Sequence, residues 1–369
     1  MVCLKVTVVG AGNMGLAIVS YLAVHKNFDV TLFTSKKYDS LILNEAEINK
    51  KKSTSRFKVT NSVEAFSDAN YILCTYPAFL RKKMIENYGC YIKSGTKLGF
   101  VPGYGGIEYA CKGLIDKGVI LFGLQRVPYV ARAVGNEANI LSKKSKLFIA
   151  TIPSCFGKSV AADIEEILDI PTVVLHEYLS ITLAPSNPLL HISGLYGAFK
   201  NYDSNIGYVG KKKFYEQWDD STSEILFAYD NELQNICTAL EPLDMREVVP
   251  LSIYYEADTP NKMTKKLKSI ESFKVVEIPL KNHMPNLESR MFVEDYPYGV
   301  CIIKDFANIV GVKTPVIDML LNFYTKLSGH KYFNSDGSYS EEISLTGVPG
   351  IYGLRTKEDI IQFYSGGNN

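Results

Sequence analysis

The chain has 369 residues, 46% of them hydrophobic, with 40 Lys+Arg against 39 Asp+Glu and a net charge of +1. This length allows two domains, and so much apolar content speaks against a disordered chain. The charge balance excludes the dominant basic surface on which nucleic-acid binding depends, and the lysine runs at 50–52, 143–146 and 211–213 read as solvated surface.

In chain order, Leu4–Val9 reads as a short apolar strand, Asn13–Val24 as a helix and Asp29–Phe33 as a second strand. A short helical piece at Val63–Phe66 precedes a strand at Tyr71–Tyr76 and a helix at Leu80–Tyr88. Strands follow at Lys97–Val101, Val119–Gly123 and Lys146–Ile152, then a helix at Lys158–Leu168 and a last strand at Thr172–Val174. Such alternation predicts an α/β fold, a mostly parallel sheet with helices on both faces. After Leu183-Ala184-Pro185-Ser186-Asn187-Pro188 the texture becomes helical, with Ser221–Leu240, Met263–Ser269, Tyr298–Val310 and Pro315–Leu327 as examples. The tail from Asn334 is rich in Gly and Ser and ends in a short helix, Thr356–Tyr364. The expected organisation is an N-terminal Rossmann dinucleotide-binding domain, 1–183, followed by a mostly α-helical substrate and catalytic domain, 184–369.

Seven cysteines stand singly, none in a C-x-x-C pair, which fits a reducing compartment and makes a structural zinc site unexpected. Cys3, Cys74 and Cys301 lie in apolar runs and read as buried fillers. The apolar first turns lack a basic flank and are interrupted by Gly10, Gly12, Asn13 and Gly15, unlike a secretory signal. No run is long enough to span a membrane, so the cytoplasm is the expected compartment.

The first chemistry-bearing motif is Gly10-Ala11-Gly12-Asn13-Met14-Gly15, lying between a strand and a helix. In that context Gly10 permits the tight turn, Gly12 lets the backbone approach a pyrophosphate, and Gly15 lets helix and strand pack closely. The anion then meets the free N–H groups of the helix start. NAD enzymes usually place an acid at the end of the second strand, for the ribose 2′-hydroxyl. Here the strand ends in Thr34-Ser35-Lys36-Lys37, two hydroxyls and two lysines suited to a 2′-phosphate. NADP(H) is therefore the expected cofactor. Thr75-Tyr76-Pro77 leaves a strand on the same edge and either borders the nicotinamide half or forms an ordinary strand-exit turn.

Of the histidines His25, His176, His191, His283 and His330, only His191 falls at the expected domain junction, where small-molecule sites usually lie. Position alone leaves it open whether His191 is catalytic or a packed or capping histidine. A second feature is Arg290-Met291-Phe292-Val293-Glu294-Asp295-Tyr296-Pro297-Tyr298-Gly299, which taken alone reads as an ion-pair turn, Arg290 with Asp295, opening a helix.

Taken in order, GAGNMG, NPLLH and RMFVEDYPYG resemble the opine dehydrogenases, the group that includes octopine and nopaline dehydrogenases. PGYGG at 102–106, GLQRVPYVAR at 123–132, APSNPLLH at 184–191 and FYEQW at 214–218 make the chain most similar to the branch producing opine metallophores, the staphylopine dehydrogenase-like enzymes. The resemblance implies reductive condensation of a 2-oxo acid, pyruvate or 2-oxoglutarate, with the amine of an amino acid or a nicotianamine-like precursor. It implies His191 as general acid/base, Asp295 as its partner and Arg290 as the binder of the 2-oxo acid carboxylate. Arg126 and Arg132 are candidates for the amino-acid carboxylates, and Asn187 comes with the APSNPLLH stretch as a substrate-binding residue. The branch is expected to carry an arginine near Gly194, where this chain reads Ile192-Ser193-Gly194-Leu195-Tyr196, so the identity of the amine stays open. The physical chemistry agrees with these roles. Histidine exchanges protons near neutral pH, a carboxylate on its far nitrogen favours the imidazolium, and the planar guanidinium fork matches a carboxylate. A homodimer is the default assembly, and no resident metal, nucleic-acid partner or membrane partner is expected.

Two other readings compete. One is a ketopantoate-reductase-like or 3-hydroxyacid dehydrogenase, which usually relies on a lysine in the helical domain; here no single lysine stands out there. The other is a non-catalytic NADP-binding regulator, against which the His–Arg–Asp set weighs.

Overall fold

The computed structural model describes residues 4–45, 48, 50–184 and 186–365, so the expectation for Cys3 lies outside the described residues. The chain divides into two compact units: the residues up to Thr182 joined by those from Gln362 onward, and Leu183–Ile361. The sequence reading placed the whole tail with the second domain; its last residues group with the first unit instead.

The first unit is built on strands β1 (Lys5–Val9), β2 (Asp29–Phe33), β3 (Leu41–Asn44), β4 (Lys52–Ser55), β5 (Lys58–Thr60), β6 (Tyr71–Cys74), β7 (Lys97–Phe100), β8 (Ile120–Leu124), β9 (Tyr129–Val134), β10 (Glu137–Lys143), β11 (Leu147–Ile152) and β12 (Thr172–Val174). Eight of them form one sheet in the order β12-β11-β8-β7-β6-β1-β2-β5. Every neighbouring pair in it is parallel except β8 with β11. In β1 and β2 every residue after the first is buried, the near-continuous apolar run of strands covered on both faces.

A four-stranded sheet, β4-β3-β10-β9, stands apart from the main one. Helix α1 (Asn13–His25) packs against strands of both sheets. Its Leu16-Ala17-Ile18-Val19-Ser20-Tyr21-Leu22 stretch is therefore buried all round, as expected of a helix apolar on every face. That sandwiching explains the apolar N-terminus, which the signal-peptide comparison left without a structural reason.

The second unit is helical. Its long central helix, Asp220–Ala239, starts at Asp219, whose carboxylate accepts from the Thr222 N–H at 2.8 Å, and it contacts the helices Ser186–Phe199, Pro260–Ser269, Cys301–Val310 and Pro315–Ser328. Two acids on this central helix serve other elements. Glu232 accepts from the Val316 and Ile317 N–H groups at 2.8 and 2.9 Å, satisfying the open start of a helix, and Asp230 accepts from the Leu251 N–H at 2.7 Å. Among the described residues no helix is long and apolar enough to cross a membrane. Cys74 and Cys301 are buried.

Candidate active site

In the first unit the glycine loop lies at the carboxyl edge of the parallel strands. The Gly10 N–H donates to the Phe33 carbonyl at 3.2 Å, and the Thr75 N–H donates to Val9 at 2.9 Å, so the ends of β2, β1 and β6 come together. Gly10 has φ +106°, a conformation that disfavours any side chain. At Gly15 a Cβ would lie 1.8 Å from the Gly10 carbonyl oxygen, while at Gly12 it would meet nothing within 4 Å. Gly12 is exposed, and the open space over it at the start of α1 is what a pyrophosphate needs, so these residues fit a dinucleotide. Asn13 is exposed and its Oδ1 accepts from the Ala133 N–H of β9 at 2.9 Å, tying the loop to the second sheet. Met14 is half-buried against the core.

At the end of β2, the Thr34 N–H donates to Thr60 and its Oγ1 accepts from the Lys36 N–H at 3.2 Å, which bends the chain away from the sheet. Ser35, Lys36 and Lys37 are exposed there. Thr75 Oγ1 donates to Val9 at 3.0 Å, and Pro77 precedes the helix Ala78–Tyr88. Arg126 is half-buried after β8. Arg132 lies within β9, exposed, with Nη1 donating to Ala131 at 2.9 Å. Along that strand Tyr129 and Ala131 face the core, so the side chain of Arg132 stands on the opposite face.

In the second unit His191 sits in the middle of the helix Ser186–Phe199, with Asn187 one turn before it and exposed. His191 Nδ1 lies 2.7 Å from Asp295 Oδ2. The aspartate side chain is 6% exposed and the imidazole 18%, so the ring is partly open while its partner is enclosed. Burial pushes the Asp295 carboxyl above its ordinary range, and His191 against it pulls the other way. The other four histidines are exposed; His25 and His330 also meet acids, Glu45 and Glu342, each at 2.9 Å.

Asp295 is delivered by a local irregularity that the sequence explains. After the helical turn Arg290–Val293, residues Tyr296–Val300 form one π-helical turn, closed by the Val300 N–H on the Asp295 carbonyl at 3.0 Å. Pro297 inside it has no N–H to continue the tighter ladder.

Here the expected Arg290–Asp295 ion pair is corrected. Arg290 pairs with Glu294 instead: its Nε donates to Glu294 Oε2 at 2.6 Å and its Nη2 to the same oxygen. The four-residue spacing puts these two on one helical face, leaving Asp295 to turn toward His191. The Glu294 side chain is 2% exposed and that of Arg290 68%. Glu294 was not singled out by sequence reading; its signal was its place four residues after an arginine and one before the aspartate.

Sequence reading also missed why position 194 is glycine. A Cβ there would lie 2.3 Å from Phe214 Cζ and 2.8 Å from Trp218 Cζ3, so the FYEQW stretch fills the space against this helix. The same Phe214 stands edge-on to His191, ring centres 5.9 Å apart.

Two family models match the chain. The helical domain of NAD/NADP octopine/nopaline dehydrogenase matches residues 174–328, which contain His191, Arg290 and Asp295. Ketopantoate reductase PanE/ApbA matches residues 6–127, within the first unit. Octopine dehydrogenase of Pecten maximus is 23% identical over 87% of this chain and 86% of its own length. Over most of its length the chain is similar to the octopine dehydrogenases, and its residues 174–328 match their helical domain. A solved octopine dehydrogenase with NADH and L-arginine superimposes with a TM-score of 0.84 at 21% identity, covering 97% of both chains. A yersinopine dehydrogenase with NADP+ superimposes at 0.68 and 12% identity over 99% of both. The first of these solved neighbours is described with NADH and the second with NADP+.

Proposed function

We propose that this chain is an NADPH-dependent opine dehydrogenase, joining a 2-oxo acid to an amine. The observation that carries the reading is the His191–Asp295 pair, a partly open imidazole held by an enclosed carboxylate. Condensation of a 2-oxo acid with an amine passes through a carbinolamine, loses water and leaves an imine. His191, as imidazolium, gives its proton to the departing hydroxyl; as neutral imidazole it takes a proton from the attacking amine. Asp295 keeps the far nitrogen protonated and orients the ring. Arg290 binds the 2-oxo acid carboxylate, oriented by Glu294. The reduced nicotinamide, when bound, supplies the hydride that turns the imine into the secondary amine of the opine.

Gly10, Gly12, Asn13, Met14 and Gly15 would hold the dinucleotide, Thr34, Ser35, Lys36 and Lys37 its 2′-phosphate, and Thr75, Tyr76 and Pro77 would border its nicotinamide half. Arg126, Arg132 and Asn187 are proposed for the amine substrate. The PGYGG, GLQRVPYVAR and FYEQW stretches support a metallophore product and a nicotianamine-like amine bearing several carboxylates. Pyruvate and 2-oxoglutarate both suit an arginine. A homodimer and a cytoplasmic location, the latter supported by the single scattered cysteines, complete the reading.

The test is NADPH oxidation by the full chain across a matrix of 2-oxo acids and amines, with the product mass measured. Oxidation only when both substrates are present, giving the mass of the secondary amine, supports the reading; oxidation by an oxo acid alone overturns it.

A further inference from the structure

Arg81 is the only buried arginine among the described residues, 1% exposed on the helix Ala78–Tyr88. Its Nε donates to the Tyr76 carbonyl at 2.8 Å and its Nη1 to the Tyr104 carbonyl. The guanidinium carbon lies 5.8 Å from the ring centre of Phe100 and 5.7 Å from that of Tyr104. No carboxylate is within ion-pair distance of it among the described residues. Buried Lys304, by contrast, sits 2.6 Å from Asp318. The buried acid of the neighbouring stretch, Glu108, is engaged by Thr182 and Tyr364, and burial pushes its carboxyl up to about 7, the behaviour of an acid with no cation against it.

A guanidinium stays charged in proteins, and burying a charge without a counter-ion is far more costly than burying an apolar side chain of similar volume. Carbonyl dipoles and ring faces offset part of that cost. What the arginine secures is geometry. It joins the turn leaving β6 to the loop leaving β7, both at the carboxyl edge where ligands of open α/β sheets bind. It also fixes Tyr76, whose ring lies so close to Gly10 of the glycine loop that a Cβ there would be 2.9 Å from Tyr76 Cδ1.

We propose that Arg81 is a positioning residue of the cofactor site: it locks the two strand-exit loops beside the nicotinamide end and sets there a positive charge that favours the neutral reduced ring over the oxidised cation. This rests on the dinucleotide reading of the first unit and not on the choice of opine substrates.

The experiment is equilibrium binding of NADPH and NADP+ to the full chain, by fluorescence titration and calorimetry, for the wild type and for Arg81→Met, Arg81→Gln and Arg81→Lys. The two neutral replacements differ in shape, so failure of one to fold, read by thermal melting, leaves the other. For the neutral variants the ratio of the NADP+ dissociation constant to the NADPH one falls roughly fivefold or more, the scale of a unit charge acting in a partly shielded interior. Arg81→Lys keeps the ratio while weakening both ligands, because the charge stays and the directed bonds do not. A ratio within about twofold of wild type in the neutral variants overturns the proposal while leaving the cofactor reading intact. A wild-type chain that binds neither dinucleotide overturns both.

Discussion

Asp295 Oδ2 lies 2.7 Å from His191 Nδ1, and the two residues come from different helical segments of one unit, the first from the turn ahead of a π-helical bulge, the second from mid-helix. With Nδ1 engaged, Nε2 is the nitrogen left for the proton transfer proposed above. Asp295→Asn should therefore lower turnover by roughly 100-fold and change the pH–rate profile while far-UV circular dichroism stays unchanged. A profile identical to wild type would show that the aspartate does not govern the histidine. His191→Ala should remove at least as much.

Arg290 and Glu294 form a second, separable relationship. The carboxylate engages the guanidinium through Nε and Nη2 and is itself enclosed, so it sets the direction of an otherwise exposed side chain. Arg290→Lys should raise KM for the 2-oxo acid about tenfold or more with little change for the amine, because an ammonium cannot reproduce the fork. Glu294→Gln should move the same constant in the same direction by less. Equal rises for both substrates would make Arg290 structural, and a rise confined to the dinucleotide would assign it to the pyrophosphate.

Lys36 and Lys37 are exposed at the end of β2 with no acid in the Thr34–Lys37 stretch. On the proposed binding of the 2′-phosphate, Lys36→Ala with Lys37→Ala should raise KM for NADPH about tenfold and leave that for NADH nearly unchanged, because the charge-assisted bonds proposed there would be lost. Wild-type preference for NADH would contradict the assignment.

Glu108 offers a test of stability against pH. Its carboxyl is pushed up to about 7 in the folded chain from an ordinary 4.5, by burial. Below 4.5 the acid is protonated folded and unfolded alike, and nothing is lost. Between about 4.5 and 7 the unfolded chain releases the proton first, so stability falls as pH rises, by on the order of 3 kcal/mol in all. Denaturant titrations across that range should show the fall, and Glu108→Gln should flatten it. An equal slope in both would show that other groups set it.

Gly194 is tested by Gly194→Ala, whose added methyl must displace Phe214 or Trp218. A loss of about 1–3 kcal/mol is expected, measured by chemical unfolding, as for overpacked cores. An unchanged midpoint would mean that the aromatic cluster yields easily.

Much of the first unit was legible because strong local rules coincide there: an apolar strand, a glycine turn and an apolar helix leave few alternatives. The second sheet was not. Lys52–Ser55 is short and polar, and Glu137–Lys143 has polar or charged residues at both ends around Ala138, Ile140 and Leu141; both strands are defined by pairing with neighbours packed on α1. The helix carrying His191 was hidden behind two prolines, although Pro188 falls in its first turn, where the missing N–H costs nothing. The Arg290–Glu294 pairing follows from helical spacing and could have been read. The exclusion of a side chain at 194 could not, since it depends on Phe214 and Trp218 arriving from another segment.

The most direct measurement of the central claim is NADPH oxidation followed with the 2-oxo acid alone, the amine alone and both together, with the product identified by mass. The account predicts oxidation only with both present, one secondary amine formed per NADPH consumed, and its loss in His191→Ala. Oxidation with the oxo acid alone, yielding a hydroxy acid, would contradict it.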